Sequence, residues 1–108
     1  FRRRIVSGQW PPGTKVPSVR ELAADTGVNP NTVQRALGAL DREGLTAAER
    51  TAGRFVTTRK SVINSVRRNL ASGATDAYID TLTAIGMDLD QTTALLTERW
   101  WAPDRQDR

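Results

Sequence analysis

The chain has 108 residues, of which 38% are hydrophobic and 26% are charged, as is typical of one compact domain or of one small domain with an assembly appendage. It contains no Cys and no His, which excludes Cys/His zinc sites, thiol or imidazole catalysis and disulfides. It also contains no apolar run long enough to predict a membrane-spanning helix. The net charge of +4 is uneven, because residues 1–60 hold 11 Lys/Arg and 5 Asp/Glu whereas residues 61–108 hold 5 and 7, so the basic first half is the expected polyanion binder.

The first elements are a helix end and a loop. Residues 1–6 are expected to be the end of a helix that stops at Gly8 and whose earlier turns lie upstream. The Pro-rich stretch 11–17 cannot be regular helix and predicts a loop with Trp10 and Val16 packed on the core. No secretory signal follows the basic start, which favours a cytoplasmic protein.

Two helix starts follow. Ser18 and Glu21 have the spacing of a capping box, which predicts a helix over Val19–Thr26. Asn29 followed by Pro30 predicts a second helix that runs to Glu43, since Asn caps helices and Pro is tolerated at the first helical position. Each predicted helix is followed by a Gly.

A small hairpin is expected next. The segments 45–48 and 55–58 read as short strands that flank the turn-like residues 49–54. The two segments are poor in β-forming residues, so the prediction rests on the turn-like residues between them.

The remaining residues are predicted to form two helices. The first begins at Ser61 and ends near Gly86, and the second begins at a further capping box, Asp88 with Gln91, and ends before Pro103. Their apolar side chains form a stripe that would remain partly exposed to solvent in a monomer, so we expect this stripe to be a dimer interface. The interface residues are predicted to be Ile63, Val66, Leu70, Ala77, Leu82, Ile85, Leu95, Leu96 and Trp100. The alternative is that both helices fold back and complete a monomeric core.

The two central helices have the spacing of a helix-turn-helix. Ala23 on the first helix would allow a close crossing, Gly27 would take the left-handed turn, and Val33 would fill the angle between the helices. With Val33 inside, Asn31 and Arg35 point outward, with Gln34 on the flank. Arginine and amide side chains read base edges in the DNA major groove, so this helix is a candidate recognition helix.

Other basic groups surround that helix in the prediction. Arg20 and the amides behind Ser18 would bind a phosphate, and a hairpin tip with Arg50, Gly53 and Arg54 would form a wing that reaches DNA. For Arg20 the alternative is an ion pair with Asp25 or Glu21 on a solvated surface. Asn29 is first a helix cap, and the pair Trp100–Trp101 favours packing or an interface over a ligand cage.

The motifs resemble a known family. The run SGQWPPGTKVPSVRELA at 7–23 resembles the amino-terminal signature of the GntR family of bacterial transcription regulators. The segments VNPNTVQRA at 28–36 and RTAGRFVT at 50–57 are similar to the YtrA-type subfamily, and the resemblance covers about residues 5–58. It departs from the family at Arg54, where many members have Thr.

The resemblance implies a repressor that dimerises through a short two-helix C-terminal segment and often controls operons for ABC-type transporters. It also implies a phosphate contact for Arg20 and DNA contacts for the start of the recognition helix and the wing Gly. Together with the reasoning from the residues, this gives the predicted DNA-contacting set Ser18, Arg20, Asn29, Asn31, Thr32, Gln34, Arg35, Arg50, Gly53 and Arg54.

The sequence therefore predicts a mainly α (α+β) fold, with a winged helix-turn-helix domain over residues 1–60 and a helical dimerisation segment over 61–108. The predicted function is DNA-binding transcriptional regulation, as a homodimer on an inverted-repeat duplex, without enzymatic activity, cofactor or metal. A small effector at the dimer interface stays possible, but the sequence identifies none. The alternative function is a winged-helix protein-interaction adaptor, for which the basic face would be incidental.

Overall fold

A computed structural model describes residues 1–106 and confirms the mainly helical fold with a small sheet. Its residues group into two compact units, Phe1–Leu70 and a second unit that begins at Ala71. The elements are α1 (Arg2–Val6), α2 (Val19–Thr26), α3 (Pro30–Arg42), β1 (Thr46–Glu49), β2 (Gly53–Val56), α4 (Lys60–Ala84), α5 (Leu89–Trp100) and α6 (Pro103–Gln106). Across the described residues, no helix is both long enough and apolar enough to cross a membrane.

The caps that the sequence predicts define α2 and α3. The Ser18 side chain accepts a hydrogen bond from the Glu21 amide while the Glu21 carboxylate accepts one from the Ser18 amide, a complete capping box. Gly27 ends α2 with φ +71°, a conformation that a Cβ would strain. Asn29 then caps α3 by accepting from the Asn31 amide at 2.8 Å, and Pro30 stands at the first helical position.

The core of the first unit lies between α2, α3 and the hairpin. Leu22 on α2 and the inner face of α3 are buried together with side chains from the preceding loop, as the sequence predicts for Trp10 and Val16. The buried apolar set is Ile5, Trp10, Val16, Leu22, Val33, Leu37, Leu40, Leu45, Val56 and Ile63. At the edge of this cluster the Phe1 and Trp10 rings stack at 5.5 Å, and the guanidinium of Arg4 lies over both rings.

The hairpin differs from the predicted one in the bounds of its strands and in the length of its loop. The structure pairs Thr46 with Val56 and Glu49 with Gly53, so the loop between the strands has three residues and not the six expected. Leu45 lies just before the strand, since its amide donates to the Leu40 carbonyl at 3.0 Å and so still belongs to the turn that ends α3, while its side chain is buried in the core.

Residues 14–16 pair with the other edge of β2, which the sequence analysis did not predict. The Val16 amide donates to the Arg54 carbonyl at 2.8 Å, and the Val56 amide donates to the Thr14 carbonyl at 2.9 Å. Lys15 forms an antiparallel bridge with Phe55. The strand β2 is therefore hydrogen-bonded on both edges.

The start of α4 corrects two expectations. Ile63 is buried in the core of the first unit, and Val62 and Val66 pack against that core. Ile63 is therefore not available for a dimer interface, because its own chain already covers it. The first compact unit extends to Leu70, so the predicted division after residue 60 falls inside it.

The second unit keeps most of its apolar side chains exposed. Leu82 is buried within the chain, but Ile79, Ile85 and Leu96 are exposed, and Trp100 retains 59% of its surface. Asp88 and Gln91 form the predicted capping box of α5. The short helix α6 begins at Pro103, where the sequence predicted only a helix end, and Pro at the first helical position explains why this residue starts a new turn.

The core of the first unit should depend strongly on Leu37, which is fully buried. We expect Leu37→Ala to lower the free energy of unfolding by about 2–5 kcal/mol, because the lost methyl groups leave a cavity that α2 cannot fill. Urea denaturation followed by circular dichroism measures the change. The matched variant Val28→Ala, at a position 40% exposed in the same unit, should change it by only about 0.5 kcal/mol. Equal losses for the two variants would contradict this description of the core.

Candidate nucleic-acid interface

The outward face of α3 carries polar and basic side chains. Burying Val33, Leu37 and Leu40 leaves four polar or basic residues of the first half of the helix exposed. These are Asn31, Thr32, Gln34 and Arg35. The face therefore presents one guanidinium and two side-chain amides, the groups that form paired hydrogen bonds to base edges in a major groove.

Arg35 lies on this face without a competing partner. It forms no ion pair with any carboxylate among residues 1–106. Asn29, by contrast, has its side-chain oxygen engaged as the cap of α3. A DNA contact by Asn29 would have to use its amide nitrogen, since the oxygen already accepts a hydrogen bond.

The start of α2 lies close to the wing. Ser18 and Glu21 line a shallow cleft of about 350 Å³ together with Lys15, Glu49 and Gly53. Arg20 is exposed in the first turn of α2, and within residues 1–106 it pairs with neither Asp25 nor Glu21. The alternative considered for Arg20, an ion pair with one of these neighbours, is therefore not found.

The wing tip comprises Arg50, Thr51 and Ala52, all exposed. Gly53 follows with φ +107°, a conformation that L side chains rarely adopt, and a Cβ there would lie 2.7 Å from Lys15 Cε. The stem of Lys15 thus packs over Gly53, which places a second cation beside the wing. The sequence analysis missed Lys15; its position two residues before Pro17 carried no signal, because only the pairing of residues 14–16 with β2 brings it to the wing.

Arg54 corrects another expectation. It was predicted to be a free wing cation, but its Nε and Nη2 donate to the two carboxylate oxygens of Asp41, each at 3.0 Å. The buried Thr46 hydroxyl donates to the same carboxylate at 2.5 Å. The guanidinium is therefore occupied within the fold.

This arrangement sets the ionisation of Asp41. Desolvation raises the pKa of the Asp41 carboxyl, but the hydrogen bonds from Arg54 and Thr46 and the nearby positive charges outweigh it, and the pKa lies below its ordinary value. Because the native pKa is lowered, the pair stabilises the fold at pH values above the unfolded pKa of about 3.9 and loses this contribution as the pH falls through the native pKa.

Comparisons with known proteins decide the family. The family model described as "Bacterial regulatory proteins, gntR family" matches residues 1–56, which is half of the chain. The chain belongs to the GntR family. It is therefore a DNA-binding transcription regulator and not an enzyme, and the expected resemblance to this family is confirmed.

Individual relatives agree with this placement. This GntR-family chain is 30% identical over 88 residues to the uncharacterized HTH-type transcriptional regulator YhcF of Bacillus subtilis, covering 82% of this chain and 73% of YhcF. It is 44% identical over 56 residues to the HTH-type transcriptional repressor YtrA of the same organism, covering 52% of this chain and 43% of YtrA, which supports the YtrA-type assignment.

A solved structure gives the same result for the fold. A GntR family transcriptional regulator from Listeria monocytogenes superposes with a TM-score of 0.83 at 30% identity, covering 90% of this chain and 85% of that one. The likeness thus extends beyond the residues that the family model matches.

The conformation of Gly53 can be tested directly. We expect Gly53→Ala to destabilise the first unit by about 1–3 kcal/mol, because the positive φ is strained for any L side chain, and to weaken DNA binding through displacement of Lys15 and the wing tip. Thermal unfolding and a band-shift assay measure the two effects. The control Ser72→Ala lies at an exposed position of α4, away from the face that carries Leu70 and Ala77, and should change stability by only about 0.5 kcal/mol with unchanged DNA binding. Unchanged stability for Gly53→Ala would contradict the described wing.

Proposed function

We propose that this chain is a homodimeric repressor whose α3 reads base edges in the major groove while the start of α2 and the wing contact the phosphate backbone. The observation that carries the proposal is the exposed face of α3, where Arg35 stands without an ion-pair partner among residues 1–106, on the same side of the helix as the amide side chains of Asn31 and Gln34. No element of the described chain covers this face, so it is available to a ligand.

The base-reading residues are assigned from their chemistry. Arg35 can donate both arms of its guanidinium to a guanine, and Asn31 or Gln34 can pair with both hydrogen-bonding groups of an adenine edge. Thr32 in the first turn of α3 is exposed beside them and can contact a thymine methyl group or a phosphate.

The phosphate-contacting residues flank α3. Arg20 and the backbone amides behind Ser18 form one cationic end, and Arg50 and the backbone at Gly53 form the other. Asn29 belongs to this group through its amide nitrogen. Such contacts fix the orientation of the protein on the duplex without reading its sequence.

The second unit is proposed to be the dimerisation segment. Its exposed apolar side chains are those that a second copy could cover, and two of them, Leu96 and Trp100, line a groove of about 330 Å³ together with Leu95 and Tyr78. The proposed interface comprises Ala77, Ile85, Leu95, Leu96 and Trp100. Val66 already packs against the core of the first unit, and Leu82 is buried within its own chain. A two-fold dimer would present two copies of α3 to an inverted repeat with a fixed spacing between its half-sites.

Repression is the proposed direction of regulation. YtrA and the histidine utilization repressor of Pseudomonas aeruginosa, 40% identical over 57 residues, are both named as repressors. The resemblance to the YtrA type favours a transporter operon as the target. Because the proposed ligand is chromosomal DNA, the protein would act in the cytoplasm.

A band-shift assay with the DNA upstream of the protein's own gene tests the proposal. We expect a specific shift that weakens steeply with salt, since counterions are released from the contacted phosphates. A protein-interaction adaptor would give no specific shift, and such a result would overturn the proposal.

Replacing Arg35 and replacing Arg20 should change DNA binding in different ways. We expect Arg35→Ala to cost about 1–3 kcal/mol on the cognate site and to relax the preference at one base pair per half-site. Arg20→Ala should weaken specific and non-specific duplexes alike and reduce the slope of affinity against salt. The control Arg68→Ala removes the same charge from an exposed position on α4 outside the proposed interface. If Arg35→Ala leaves the ranking of all single-base variants unchanged, Arg35 does not read a base.

The dimer is tested by sedimentation of the intact chain at micromolar concentration. We expect a dimer for the wild type and a shift towards monomer for Leu96→Asp, because a buried charge at an apolar interface is costly. The control Ala94→Asp adds the same charge at an exposed position on a different side of α5. A wild-type monomer that nevertheless binds its operator tightly would exclude this assembly.

A further inference from the structure

We propose that Asp41 and Arg54 form a positioning pair. The pair holds the outer wing, residues 47–53, against the end of α3, the proposed recognition helix, and so sets where the wing meets DNA. The inference rests on the proposed function, because it assumes that the wing contacts the duplex. It assigns to Arg54 a role through Asp41 and not a contact of its own with a phosphate.

The first argument is the completeness of the contact. The two nitrogens of Arg54 face the two oxygens of Asp41 in parallel, each at 3.0 Å, which is the bidentate geometry that fixes orientation as well as distance. The side chains are 20% and 30% exposed, so water competes with the pair less than at a fully exposed site. The Thr46 hydroxyl is a third donor to this carboxylate.

The second argument is what the contact joins. Asp41 lies in the last turn of α3, Thr46 opens β1, and Arg54 lies on β2 next to Gly53. One carboxylate therefore ties both strands of the hairpin to the helix that carries Arg35. Any tilt of the outer wing relative to α3 must break these hydrogen bonds.

The third argument is the lack of apolar packing in the outer wing. All seven residues from Ala47 to Gly53 are exposed, and the core reaches the hairpin only at Leu45, Thr46 and Val56. On the side of β1 and α3, the polar pair is thus the anchor nearest to the tip. On the other edge of β2, the Val16 amide donates to the Arg54 carbonyl, a backbone contact that does not fix the direction of the Arg54 side chain.

The charge of the variants separates positioning from direct contact. Asp41→Asn removes one negative charge from the DNA-binding unit and breaks the two-pronged contact that holds Arg54, so a direct Arg54–phosphate contact predicts equal or tighter binding. Positioning predicts the opposite, because the wing loses its anchor. The sign of this one change therefore distinguishes the two roles.

The experiment uses the full chain and the duplex that the wild type selects from a randomised pool. Under conditions where circular dichroism shows each variant folded, we expect Asp41→Asn and Arg54→Gln each to weaken binding roughly tenfold. The double variant should bind no more weakly than the weaker single variant, since both changes remove one shared contact. In all three variants, the phosphates that the wing contacts should lose their protection, whereas the base pairs that α3 contacts should stay protected.

A matched control comes from the other ion pair at this end of α3. Arg2 of α1 pairs with Glu43, the residue that follows α3, so this ion pair does not involve the hairpin. Glu43→Gln should leave affinity and wing protection unchanged. Arg54→Lys, which keeps the charge but not the two-pronged geometry, should behave like Arg54→Gln and provides a second test if Asp41→Asn does not fold.

The outcomes are distinct. Equal or tighter binding by Asp41→Asn, or a lower melting temperature with unchanged affinity and wing protection, would overturn the positioning role while leaving the proposed function standing. A wild-type protein that selects no duplex would overturn both.

Discussion

The burial of one face of α3 determines which of its side chains can meet a ligand. Val33, Leu37 and Leu40 repeat at helical spacing and are almost completely enclosed by α2, the hairpin and the loop before α2. Because a helix is rigid, fixing these three side chains also fixes the direction of Asn31 and Arg35 on the opposite face. The polar face is thus a geometric consequence of the apolar one, and a change in the core that rotated α3 would also rotate the proposed base-reading surface.

The helices were predictable because their ends are determined locally. The capping box at Ser18, the Asn29–Pro30 start and the left-handed Gly27 each satisfy or terminate backbone hydrogen bonds within four residues of sequence. The predicted bounds of α2 agree with the structure, and those of α3 differ by one residue. The exposed half of the candidate site was predictable for the same reason, since it follows from the helix and its buried stripe.

The remaining features depend on contacts between residues distant in sequence. Residues 14–16 pair with β2 across about 40 positions, and that pairing alone brings Lys15 to Gly53. Arg54 finds Asp41 only after the hairpin has formed in its observed register, so counting charges could not separate an anchored arginine from a free one. Ile63 shares its spacing with the stripe of α4, and periodicity does not reveal whether the partner of an apolar side chain is the same chain or another.

The distribution of tryptophan gives the two units different optical properties. Trp10 is 9% exposed and stacked on Phe1 in the first unit, whereas Trp100 and Trp101 are 59% and 69% exposed at the end of α5 and just after it. Indole emission shifts to shorter wavelengths in an apolar environment, so the intact chain should emit as two spectral populations that differ in access to iodide. Replacing Trp10 would leave a chain whose fluorescence reports only on the surroundings of α5, and burial of that helix by any partner would then be visible without a label.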